Sequence, residues 1–223
     1  MEEFNKIYEE NLWGDPESRS GMGSTVASTE TLRSEVESLL LKYNIKSILD
    51  LGCGDNNWMK LVRALRRGLG RRNGIEYTGA DVVENLIKSN KEKYPDTNFV
   101  TLDATSDPLP KVDLIFCRDV FGHLSNENVH KALNNIYNSG SKYLLSTTLT
   151  GWDFNKPSAI DGGWRCINLL IKPFSLRPIS LINEDCQTQY PTYNDKCLVL
   201  FDIDKMFFDK TRSGDIPPKT NRA

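Results

Sequence analysis

The chain has 223 residues, enough for one domain of ordinary size. Its hydrophobic content of 39% and charged content of 26% are those of a globular protein. A net charge of −2 supplies no global field toward nucleic acid or an anionic membrane. No apolar run reaches the length of a membrane span, and the acidic start MEEFNKIYEENLW is unlike a signal or transit peptide. Five scattered cysteines form no C-x-x-C pair, which speaks against a disulfide framework or zinc site and for a reducing, cytoplasmic setting.

In chain order, STETLRSEVESLLLKY is predicted to be an amphipathic helix with a serine or threonine cap. KSILDLGCG is a strand ending in glycines, and NWMKLVRALRRGL follows with helical periodicity. IEYTGADVV is a second strand, VENLIKSNKEKY a helix, TNFVTLDAT a third strand and KVDLIFCRDV a fourth. The helix NENVHKALNNIYNS and a fifth strand, SKYLLSTTLT, complete the alternation. That rhythm predicts an α/β fold with a parallel sheet and helices on both faces. After Thr150 a stretch rich in proline, glycine and tryptophan breaks the rhythm, and ISLINED and KCLVLFDI read as a closing antiparallel pair. The reading is one domain: residues 1–45 a lid and helix, 46–205 the core with an acceptor-pocket insertion at about 151–178, and 206–223 a polar tail.

Three acidic positions end successive strands. Asp50 precedes the turn Gly52-Cys53-Gly54, where glycines allow close backbone approach; a carboxylate there repels pyrophosphate and suits an ammonium group. Asp81, before Val82, is placed to accept from a ribose diol, and Asp103, beside Ala104, to meet an exocyclic amine. The crevice outside such strand ends is where open α/β sheets bind ligands.

These motifs resemble those of the class I S-adenosylmethionine-dependent methyltransferases: ILDLGCGDNNWM, GADVV, LDATSDPLP and VDLIFCRDVFGHL stand for the first four. The family's third first-motif glycine is Asn56 here. The resemblance implies a Rossmann-like, mostly parallel seven-stranded sheet and S-adenosylmethionine as cofactor. It implies that Gly52 and Gly54 pass beneath the methionine part, that Asp50 orients its amino group, and that Asp81 holds the ribose, with Val82 also binding the cofactor. Asp103 and Ala104 then meet the adenine, with Arg118 and Asp119 beside the methyl group.

An aliphatic hydroxyl acceptor benefits from a general base. His123 and Asp119 are the two candidates. Trp152, Asp161, Trp164, Arg165 and Asn168 are expected to build the acceptor pocket, with the tryptophans stacking on a sugar or aromatic face. A magnesium route through Asp153, Asp161 and Asn168 has no recognised spacing, so no metal ligands are assigned. Three further blocks, Trp13–Ser24, Arg118–Leu124 and Gly162–Asn168, resemble methyltransferase domains found with glycan-building enzymes. The expected reaction is O-methylation of a sugar or glycan, with possible association with glycosyltransferase domains. The alternatives are a small metabolite, protein or RNA acceptor, or a non-catalytic cofactor-binding domain. Five arginines between Arg63 and Arg72 are read as a solvated helix end and loop, not as an RNA site.

The stretch NLWGDPESRSGMGSTVAST lies ahead of the sheet and is read as a lid over the crevice. Trp13 offers an apolar wall and Arg19 a partner for the cofactor's carboxylate. Gly23 gives backbone freedom, and Ser24 a hydroxyl.

Overall fold

Strands buried on both faces feed two cores, because successive side chains point to opposite sides of the sheet. The computed structural model describes residues 2–65, 74–157, 160–186 and 193–207. Its strands are β1 (Ser47–Leu51), β2 (Glu76–Asp81), β3 (Asn98–Thr101), β4 (Leu114–Cys117), β5 (Tyr143–Leu149), β6 (Ser180–Asn183) and β7 (Lys196–Asp202). They form one sheet in the order β3-β2-β1-β4-β5-β7-β6. β1 to β5 pair in parallel, while β7 runs antiparallel to both β5 and β6.

Among the described residues four α-helices accompany the sheet: α1 (Glu2–Glu9), α2 (Glu30–Lys42), α3 (Glu84–Lys93) and α4 (Asn126–Asn138). Ile48 of β1 joins Leu114, Phe116 and the α2 residues Leu32, Val36 and Leu40 in one core. Its neighbours Leu49 and Leu51 join Ile115 and the α4 residues Val129, Leu133 and Ile136 in the other. Ser125 caps α4, its hydroxyl accepting from the Asn128 N–H at 3.3 Å. The strand order reverses at β1, which is flanked by β2 and β4, and this opens the crevice at their carboxyl ends.

The predicted alternation is observed, with four differences. NWMKLVRALRRGL does not form an α-helix within the described residues. It makes two 3-10 turns, Met59–Leu61 and Arg63–Leu65, separated by Val62 with extended backbone (ψ 114°). Spacing of three satisfies both geometries, so Met59 and Val62 are buried either way. Thr29 stands at the start of α2 without capping it; its hydroxyl donates backward to the carbonyls of Thr25 and Val26. The N-terminal residues, not predicted as an element, form α1. The supposed polar tail begins inside the core, for Met206 is fully buried and Phe207 bridges to Leu176. Beyond Arg63, the arginines of the 63–72 cluster lie outside the described residues, as does 208–223. Among the described residues no helix is long and apolar enough to cross a membrane.

Candidate active site

β1 leads into a turn through Gly52 (φ 73°) and Gly54 (φ 54°). A Cβ on Gly52 would collide with Val120, and one on Gly54 with Ser20. Both the backbone and the neighbours therefore require glycine. Asn56, at the position of the third glycine, also adopts a positive φ, 55°, which asparagine tolerates.

Above this turn lies a cavity of about 320 Å³, within the range of small-molecule sites. Gly52, Gly54, Asp81, Val82, Asp103, Ala104, Arg118 and Asp119 line it from the sheet, and Trp13, Arg19 and Ser24 from the N-terminal stretch. His123 and Asp161 line it as well. Phe4, Ile7 and Tyr8 of α1 close one side, which the sequence reading missed. Their spacing in EEFNKIYEE, three and four residues apart, is the amphipathic signal that marks them.

Asp81 accepts from the Gly54 and Val83 N–H groups, each at 3.1 Å, one on each oxygen. Burial pushes its carboxyl up, and the backbone donors work against that. Asp103 takes the Thr105 N–H and hydroxyl on Oδ1, at 2.8 and 2.7 Å. Asp50 is buried beneath the glycine turn and accepts from the Tyr77 hydroxyl at 2.6 Å. Burial pushes its carboxyl up to about 7, against the lowering effect of Tyr77. It does not line the main cavity but a small adjoining one, with Ser20, Ser24, Trp58 and Arg118. Gly23 is also outside the main cavity, close to the Asp119 carboxylate.

The N-terminal stretch is docked on the glycine turn. Asp55 accepts from the Ser18 hydroxyl (3.0 Å), the Arg19 N–H (3.0 Å) and the Ser20 hydroxyl (3.4 Å). Glu17 Oε1 takes the Asn57 amide at 2.6 Å and the Val26 N–H at 2.7 Å. Arg19 donates from Nη1 to the Tyr8 carbonyl and makes no ion pair among the described residues.

His123, also on the cavity wall, sits between two indoles, with ring centroids 4.9 Å from Trp13 and 5.0 Å from Trp164. Its Nδ1 lies 3.0 Å from the Gly163 carbonyl. A carbonyl only accepts, so Nδ1 carries the proton and Nε2 of the neutral ring keeps its lone pair. Burial holds the imidazole below its ordinary value of 6.5, and the Asp119 carboxylate opposes this. Asp119 is itself held well below the usual carboxylate range by Arg118 and Lys196, despite burial. That makes it a weak proton acceptor. Arg118 is anchored from Nε and Nη2 on Glu184, with Nη1 3.3 Å from Asp119, and it lines the cavity.

Four of the five expected pocket residues, Trp152, Trp164, Arg165 and Asn168, do not line the cavity. Asn168 is buried, with its amide on the Trp152 carbonyl and its Oδ1 accepting from the Leu170 N–H. Arg165 donates to the Leu124 and Lys156 carbonyls. Trp152 stays outside the lining. These residues pin the loop after β5, because backbone polar groups in an irregular segment need partners. Trp164 reaches the site through its stack on His123, and its indole N–H donates to the Tyr193 hydroxyl at 3.2 Å. Asp161 accepts from the Ser125 N–H and the Asn128 amide, each at 2.6 Å. Among the described residues no three His, Cys, Asp or Glu side chains cluster as metal ligands.

The donor set suits S-adenosylmethionine. Acidic groups at the β1, β2 and β3 ends match an ammonium, a diol and an amine, and Arg19 matches a carboxylate.

Residues 49–139 match the methyltransferase domain family. Phosphoethanolamine N-methyltransferase 1 of Zea mays is 35% identical over 106 residues, covering 44% of this chain and 20% of that protein. The chain thus spans about a fifth of that relative's length. The structure of human N-acetylserotonin methyltransferase in complex with S-adenosylmethionine aligns with a TM-score of 0.60 at 14% identity, over 90% of this chain and 59% of that one. The PH0226 protein from Pyrococcus horikoshii OT3 aligns at 0.53 and 16%, over 79% and 89%. At these identities the likeness is one of fold, and the fold is the Rossmann-like one of methyltransferases.

Proposed function

We propose that the methyltransferase domain of this chain methylates a hydroxyl of a sugar or glycan, with S-adenosylmethionine as donor. The observation that carries this reading is His123: an imidazole fixed at the cavity wall between two indoles, its Nδ1 held by the Gly163 carbonyl so that the lone pair of the neutral ring falls on Nε2. An aliphatic hydroxyl needs such a base, and indole faces suit the C–H face of a sugar ring. The cofactor supplies an activated methyl group on a sulfonium and leaves as S-adenosylhomocysteine, a neutral thioether. His123 takes the acceptor's proton at Nε2 as the new O–CH3 bond forms. Asp119 stays ionised and steadies the imidazolium. Asp81 would hold the ribose diol, Asp50 the amino group, Asp103 the adenine and Arg19 the carboxylate. Trp13 lines the cavity beside the acceptor, and Trp164 backs His123.

An acceptor screen with methyl-labelled S-adenosylmethionine tests the reading. Label is expected on deoxysugar-bearing glycans. Label found only on amines, protein or RNA overturns the sugar assignment. The maize relative acts by name on phosphoethanolamine, so that amine belongs in the screen.

Two substitutions test the cofactor contacts. Asp81→Ala is expected to weaken S-adenosylmethionine binding about 10- to 150-fold by calorimetry, the worth of hydrogen bonds to a charged group. Unchanged affinity removes Asp81 from the site. Arg19→Ala is expected to weaken it about three- to tenfold, since the guanidinium is exposed. Methylthioadenosine lacks the carboxylate, so its affinity should not change. An equal loss for both ligands would remove the carboxylate contact.

A further inference from the structure

Three buried charges and one half-buried one meet at the carboxyl edge of the sheet. Arg118 donates to Glu184 Oε2 from Nε (3.0 Å) and Nη2 (2.6 Å), and its Nη1 lies 3.3 Å from Asp119 Oδ2. Lys196 Nζ is 2.7 Å from the same Asp119 oxygen and 3.4 Å from Glu184 Oε2. Cations and anions alternate around a closed ring: Arg118, Glu184, Lys196, Asp119. The Arg118, Glu184 and Lys196 side chains are 5%, 1% and 7% exposed, whereas Asp119 is 23% exposed and lines the cavity. Thr147 fixes Asp119 further. Its hydroxyl accepts from the Asp119 N–H at 2.8 Å and donates to Oδ1 at 3.1 Å, holding the residue at φ 59°.

Buried ion pairs add little net stability over apolar packing, so stability alone does not account for the ring. Its open corner does. Asp119 leads into the 3-10 turn Phe121–His123, and its charge favours the protonated imidazole while that of Lys196 opposes it. We propose that Glu184 and Lys196 are positioning residues: they hold Asp119 as a fixed anion beside His123 and so set the support for the imidazolium formed when the acceptor gives up its proton. The proposal rests on His123 acting as the base.

Other charges stand on the elements packed around His123. Asp161 and Arg165 lie on the loop after β5, Glu3 packs against Gly162 from α1, and Arg19 lies on the N-terminal stretch. They are left in place by the substitutions that test the ring.

The test is an NMR titration of the imidazole in the full chain. Only two histidines exist, and a His130→Gln variant assigns the signals. Lys196→Met removes a cation, so the His123 midpoint should rise; Glu184→Gln removes an anion, so it should fall. Each shift should be about half a pH unit or more. The acid limb of kcat/KM should move with the midpoint. A merely structural role lowers activity without opposite shifts. If both variants move the midpoint the same way, or neither moves it, the proposal is overturned. If Lys196→Met does not fold, Glu184→Gln alone decides, with Lys196→Arg expected to keep the wild-type midpoint. Opposite shifts that kcat/KM does not follow leave the ring standing and remove His123 as the base.

Discussion

His123→Ala is expected to lower turnover about 10²- to 10⁴-fold, the usual worth of a general base, while S-adenosylmethionine affinity stays within a few-fold. The physical reason is the lone pair that the Nδ1 hydrogen bond to Gly163 leaves on Nε2 of the neutral ring. The pH profile carries a second signature. A general base works unprotonated, so kcat/KM falls on the acid side of the imidazole's midpoint, and burial places that midpoint below 6.5. The alanine variant should lose this limb along with the rate. Undiminished turnover at every pH takes His123 out of the reaction. Asp119 cannot replace it, because a carboxyl held ionised by Arg118 and Lys196 does not accept a proton near neutrality.

Asp50→Asn is expected to make the ligand-free protein more stable above pH 7. The Asp50 carboxyl is raised from 3.8 to about 7 in the folded state. Between those values the folded protein keeps a proton that the unfolded chain has released. Stability from this group is therefore full below about pH 4 and is lost as pH rises through 7. Each pH unit across that window costs about 1.4 kcal/mol, so the whole effect is of order 4 kcal/mol. Asparagine carries no charge to bury and can still accept from Tyr77. Urea unfolding at pH 4 and pH 8 checks this. The two proteins should be alike at pH 4 and the variant more stable at pH 8. A variant that is less stable at pH 8 shows that the carboxylate is stabilised by contacts that asparagine cannot replace. The same substitution should weaken S-adenosylmethionine, which needs the anion for its ammonium group.

The order of elements was legible because each strand is a short apolar run and each helix carries its own period. The glycine turn and the acids at the ends of β1, β2 and β3 were legible for the same local reason: a site at strand ends is written where strands stop. What was hidden depends on distance along the chain. Glu184 and Lys196 look like surface charges in their own segments, and only the antiparallel return of β7 brings them to Asp119. Arg165 and Asn168 looked like pocket residues because polar side chains beside glycines suit a ligand equally well. In the fold their partners are carbonyls of an irregular loop. The failed helix after the glycine turn has another cause, since a spacing of three does not separate a 3-10 turn from an α-helix.

The docking of Ser18, Arg19 and Ser20 on the single carboxylate of Asp55 ties two parts of the chain that are far apart in sequence. Asp55 returns a bond from its own N–H to the Ser20 hydroxyl, and Glu17 holds the Asn57 amide next to it. Arg19 and Ser20 line the cavity, and Asp55 does not. The shape of the cavity wall is therefore set in part by a carboxylate outside it, on the same turn whose glycines form the floor.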